Sequence, residues 1–162
     1  LFHFFPNAIG LTLHQLAREI REWLPTALTY ERCDYNQYMR NLARCHVQLG
    51  TFPFGGTNSN IDSMMLGIPM VSLWGDEPHS RFDGMMQRRA GLPEWTIATT
   101  VDDYVAAALR LIEDDDCRNE LGMYLRTIDL DAIFYGEPPE SDRWGFADAM
   151  MAAYKGGPRA PA

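Results

Sequence analysis

Five short apolar runs, beginning near residues 1, 27, 45, 70 and 95, alternate along the chain with segments whose apolar residues recur at helical spacing. Nothing else in the sequence restricts the fold as much. Strand, helix and parallel strand in succession form a crossover unit, and a series of such units predicts a parallel sheet with helices on both faces. The first run, 1–5, is closed by Pro6 and reads as a buried strand. From Thr12, a candidate N-cap, the residues Leu13, Leu16, Ala17, Ile20, Trp23 and Leu24 fall on one helical face, which Pro25 ends. Further strands are expected at 27–30, 45–49, 70–74 and 95–98. Between them lie an Asp34-capped helix over 35–43 and a helix over 59–66 closed by Gly67. A third spans 77–90, with Phe82, Met85 and Met86 on one face, and stops at Gly91 before Pro93. Thr100 and Asp103 make a capping box ahead of a helix bearing Val101, Tyr104, Val105, Ala108, Leu109 and Ile112. Two more helices are expected over 116–126 and 141–155, the second displaying Trp144, Ala147, Met151 and Tyr154, before a Gly-, Pro- and Ala-rich tail over 156–162. The acidic stretch 113–116 reads as a solvated helix end.

With 162 residues, 46% of them hydrophobic, the chain is long enough to bury a core as one domain. Its net charge of -8 lacks the basic footprint that nucleic acid binding requires. Cys33, Cys45 and Cys117 show no CxxC spacing and no adjacent His cluster, so neither a disulfide framework nor a metal site is indicated, and a reducing cytoplasm fits best. No apolar stretch reaches the length of a membrane span, and no signal-peptide layout opens the chain. Leu1 stands inside an apolar run, so the sequence reads as a piece of a longer polypeptide.

In an open parallel sheet, ligands bind beyond the carboxyl ends of the strands, where helix starts offer free N–H groups to anions. The loop after the third run, Thr51-Phe52-Pro53-Phe54-Gly55-Gly56-Thr57-Asn58-Ser59-Asn60-Ile61-Asp62, is the best such place. Gly55 and Gly56 allow close backbone approach, and Thr57, Asn58 and Ser59 supply hydroxyl and amide donors where a helix dipole favours a diphosphate. One turn on, Asp62 is placed to accept hydrogen bonds from a ribose diol. The same string also makes a turn and N-cap with no ligand at all.

The string Phe52 to Asp62, then Leu66-Gly67, then Gly91-Leu92-Pro93-Glu94-Trp95 with Ile97-Ala98, resembles the bacterial HMW1C-like protein N-glycosyltransferases and, more distantly, the O-GlcNAc transferases of glycosyltransferase family 41. The resemblance runs from His3-Phe4-Phe5-Pro6 through Asp102-Asp103-Tyr104-Val105 to about Tyr154. It implies an α/β, Rossmann-like domain, the C-terminal half of a GT-B enzyme, taking UDP-glucose or UDP-GlcNAc as donor with no metal or other cofactor. By family position, Tyr38 lies against the uracil, Gly56, Thr57, Asn58 and Ser59 hold the diphosphate, Asp62 the ribose, and Phe54 faces the sugar. His79 matches a family histidine near a helix start and is a candidate sugar contact, whereas Asp83 reads as a surface or His-orienting group. No catalytic residue is assigned within residues 1–155. The family's first strand and helix, with a basic phosphate-binding residue, are missing, as is the N-terminal domain that receives the acceptor protein. His14 is one place out of register with a family histidine and carries no role, and Lys155 does not replace the missing base. The competing readings are a non-catalytic nucleotide-sugar-binding or interaction domain and a UDP-sugar epimerase.

Overall fold

The computed structural model of the chain describes residues 1–136, 150–151 and 154–155. They fall into two compact units, Leu1–Ile128 and Asp129–Ala162. The first unit runs β1 (His3–Phe4), α1 (Gly10–Trp23), β2 (Leu28–Thr29), α2 (Tyr35–Leu42), β3 (Gln48–Leu49), α3 (Asn58–Met65), β4 (Met70–Leu73), α4 (Phe82–Arg89), β5 (Ile97–Ala98), α5 (Val101–Glu113) and α6 (Asp115–Thr127). Short 3-10 turns occupy Pro78–Ser80 and Glu94–Thr96. In the second unit α7 (Leu130–Tyr135) is a helix the periodicity did not announce, capped by Asp129, which accepts from the Ala132 amide at 2.9 Å. The expected helix over 141–155 and tail over 156–162 lie outside the described residues, apart from 150–151 and 154–155.

All the strand pairs are parallel, as the alternation requires, but the strands form two sheets: β1 beside β2, and β3-β4-β5. The core lies around β4, whose Met70 and Val71 are fully buried, with Met64 of α3, Met86 of α4, Leu111 of α5 and Leu125 of α6 closing over it. Burial of Leu111 and Leu125 stabilises the unit by about 1.5–3 kcal/mol each. Gly67 and Gly91 take left-handed φ of 68° and 75°, which lets the Ile68 and Leu92 amides turn back to the Ser63 and Gln87 carbonyls at 2.9 Å and ends α3 and α4.

Asp34 and Thr100 cap as expected, accepting from the Gln37 and Asp103 amides at 3.0 and 3.1 Å. Three expectations change. α1 begins at Gly10, so Thr12 lies inside it, and of its apolar face only Ala17 is buried because a two-stranded sheet offers little surface to cover. Pro78 breaks the helix over 77–90, and the face that α4 buries is Asp83, Gly84, Met86 and Gln87, with Phe82 and Met85 outside. The reason is close approach at Gly84, where a Cβ would stand 2.7 Å from the Trp74 ring and 2.8 Å from Ile97. On α5 the buried residues are Ala107, Ala108 and Leu111, while Val101, Val105, Leu109 and Ile112 stay exposed. The acidic stretch is exposed at the end of α5, as expected, and within it Asp114 accepts from the Cys117 amide at 2.9 Å and caps α6.

Candidate functional site

The carboxyl ends of β2, β3 and β4 lead into α2, the loop before α3 and the turn before α4, and the candidate donor-binding residues lie on or beside these segments. Thr57 opens α3 with φ 38° and ψ -92° and no side-chain cap, a backbone conformation costly for a residue with a Cβ. Thr57 and Asn58 are exposed, and among the described residues their amides have no hydrogen-bond partner. The third residue of the group turns inward, since Ser59 Oγ donates to the Gly56 carbonyl at 2.9 Å. The start of α3 therefore presents free donors at the positive end of a helix dipole.

Behind that start sits Asp83, read from the sequence as a surface or His-orienting group and buried in the structure. Its carboxylate accepts from the Gly56 amide at 3.0 and 3.3 Å and from Asn60 Nδ2 at 2.7 Å. Fully buried Asn60 in turn accepts from Gln48 Nε2 of β3 at 2.6 Å, so one chain of hydrogen bonds joins β3, α3 and α4 through the loop. The Gly56 amide is thereby committed within the protein. Tyr104 of α5 closes the back of the loop by donating to the Gly50 carbonyl at 3.0 Å; burial first, and then the charge of Asp83, raise its pKa. The buried roles of Asp83 and Asn60 were missed because polar residues on a helix read as solvated, and that of Gln48 because its run reads as an apolar strand. The one available signal was that Asp83, Met86, Gln87 and Ala90 share a helical face with Gly84 beside it.

Asp62, one turn into α3, accepts from the Tyr35 hydroxyl at 2.7 Å. Tyr38 faces the same carboxylate, and its pKa is pushed up to about 12, by burial first, then by the charges of Asp62 and Tyr35 and a hydrogen bond to Asp62. Its ring meets Phe5 edge-on at 5.6 Å, and Phe5 stacks on Tyr30 at 4.7 Å, so an aromatic wall joins the ends of β1 and β2 to α2. At the other end of the loop the exposed Phe54 stacks on His79, ring centres 4.6 Å apart. His14 is on α1. Among the described residues no three His, Cys, Asp or Glu side chains are grouped to hold a metal ion, and no helix is long and apolar enough to cross a membrane.

No protein-family model matches the chain. Over 140 residues it is 39% identical to the UDP-glucose:protein N-beta-glucosyltransferase of Actinobacillus pleuropneumoniae serotype 5b, a match covering 85% of this chain and 23% of that protein. It is 27% identical over 120 residues to the probable UDP-N-acetylglucosamine--peptide N-acetylglucosaminyltransferase SPINDLY of Hordeum vulgare, covering 74% of this chain and 12% of that one. Among solved structures, a mutant O-GlcNAc transferase of Thermobaculum terrenum superposes with a TM-score of 0.71 at 22% identity, over 94% of this chain and 29% of that one. The likeness in structure establishes a Rossmann-like α/β fold of parallel strands flanked by helices. The chain spans less than a quarter of the length of the curated relatives it matches.

Proposed function

From the premise that this chain belongs to glycosyltransferase family 41, beside the HMW1C-like protein N-glycosyltransferases, we propose that it is the donor-binding part of an enzyme that moves a hexose from a UDP-sugar to Asn, or to Ser or Thr, side chains of proteins. The observation that carries this reading is the order of groups along the carboxyl edge. Tyr38 and Asp62 stand at one end, the free amides of Thr57 and Asn58 in the middle, and the Phe54–His79 stack at the other. That is the order of base and ribose, diphosphate, and sugar. A ribose diol would take Asp62 oxygens in place of the exposed Tyr35 hydroxyl. A departing UDP gathers negative charge, which helix-terminal amides already in place stabilise without reorganisation. The bulk of Phe54 favours a plain hexose such as glucose over an N-acetylated sugar.

In this reading the acceptor protein and the catalytic groups belong to a second Rossmann-like domain facing this one, as in a GT-B enzyme. One more parallel strand and helix complete this domain. Among the described residues β1 and β3 are each paired on one side only, and both stay half-buried while β5 is fully buried, which supports that addition. Transfer is metal-independent, and the protein works in the cytoplasm.

Calorimetric titration of the chain with UDP and UDP-glucose tests the donor site. Asp62→Ala, and Asn58→Pro, which removes the Asn58 backbone N–H at the first helical position, are each expected to weaken binding about ten-fold or more, the usual cost of losing a charge-assisted hydrogen bond, and a chelator is expected to change nothing. Binding untouched by either substitution would remove the assignment.

A further inference from the structure

The Asp83 carboxylate is almost wholly buried, yet among the described residues no cation pairs with it; its partners are the Gly56 amide at 3.0 Å and Asn60 Nδ2 at 2.7 Å. A buried charge needs compensation, and here it comes from donors belonging to the loop that precedes α3. The fit is close enough to exclude a side chain on the loop, since a Cβ on Gly55 would stand 2.0 Å from Asp83 Oδ1. The donors run one way, from Gln48 Nε2 to Asn60 Oδ1 at 2.6 Å, and from Asn60 Nδ2 to Asp83. With the Gly56 amide held inward, the next two amides, of Thr57 and Asn58, are left without an intramolecular partner. The positive φ of Thr57 lies at the point where the held and free amides meet.

We propose that Asp83 is the positioning residue of the diphosphate turn: by fixing the Gly56 amide and Asn60 from behind, it holds the Thr57 and Asn58 amides in the arrangement that receives the two phosphates. The proposal rests on the donor-site reading above. It assigns the acidic residue a part in phosphate binding without contact with the phosphates, which its charge would repel. It also sets the outcome of a conservative change. In Asp83→Asn, the side-chain oxygen placed where Oδ1 stands can still accept from both the Gly56 amide and Asn60 Nδ2, as that oxygen does now.

Titration of the chain with UDP and with uridine, which lacks the diphosphate, tests this. Asp83→Ala is expected to weaken UDP about ten-fold or more while leaving uridine within about two-fold, and Asp83→Asn to keep UDP within about three-fold of the parent chain. Equal loss of both ligands in Asp83→Ala, loss of neither, or Asp83→Asn behaving as Asp83→Ala overturns the proposal and leaves the donor site standing. A parent chain that binds neither ligand overturns the donor-site reading and this proposal with it. Amide hydrogen exchange on the parent chain tests the same point should Asp83→Ala not fold. The Gly56 amide is expected to be protected with or without UDP, and those of Thr57 and Asn58 only with it; a Gly56 amide that exchanges freely until UDP is added overturns the proposal.

Discussion

At Gly55 there is no room for a methyl group, because the atoms that a Cβ would meet, within 2.0 to 2.6 Å, are all of the Asp83 carboxyl. Asp83 cannot retreat without giving up Gly56 and Asn60. Gly55→Ala is therefore expected to cost about 1–3 kcal/mol of stability by overpacking, seen as a lower urea midpoint, and to weaken UDP along with it. Tyr38 offers a second reading at this scale. Its pKa in the folded chain stands near 12 against an ordinary 10, for reasons that begin with burial and continue with Asp62 and Tyr35. A raised pKa means that the folded chain holds the phenolic proton more tightly. The stability this adds is whole below pH 10 and is lost as pH rises through about 12. Asp62→Asn removes the neighbouring charge, and ultraviolet titration of the tyrosinates should then find the Tyr38 transition moved back towards the ordinary value.

Elements are joined here as much by polar groups as by apolar ones. Gln87 of α4 is fully buried and donates to the Met70 carbonyl at 3.0 Å and to Thr96 Oγ1 at 3.1 Å, while accepting from Ser72 Oγ. One amide thus ties α4 to β4 and to the turn before β5. Gln87→Leu keeps the volume but strands those partners, at an expected cost of about 2–4 kcal/mol in urea unfolding, larger than for any exposed residue of the same helix. This is also where the sequence reads least well. Helical periodicity put Phe82, Met85 and Met86 on one face; Met86 is buried, but Phe82 and Met85 lie outside because Gly84 permits contact with Trp74 and Ile97 while Asp83 and Gln87 find partners. Hydrophobicity ranks single side chains; whether a polar one is buried depends on groups distant in sequence.

At the scale of the molecule, the two sheets leave β1 and β3 each with a free edge among the described residues. If one more strand belongs between them, a longer chain that supplies a strand and helix ahead of Leu1 is expected to melt several degrees higher and to self-associate less, checked by circular dichroism and sedimentation. An extension that pairs with neither edge would change neither property. The sequence by itself determined the alternation of strands and helices, the parallel direction, the caps at Asp34 and Thr100, and the loop that carries the candidate site. These depend on local spacing and on turn chemistry, which act over a few residues. Only the tertiary structure decided that Asp83 lies inside, that the Gly56 amide faces it, and that Tyr35 and Tyr38 share Asp62. In each of these contacts the partners stand more than twenty residues apart, and it is packing across elements that brings one donor and one acceptor together.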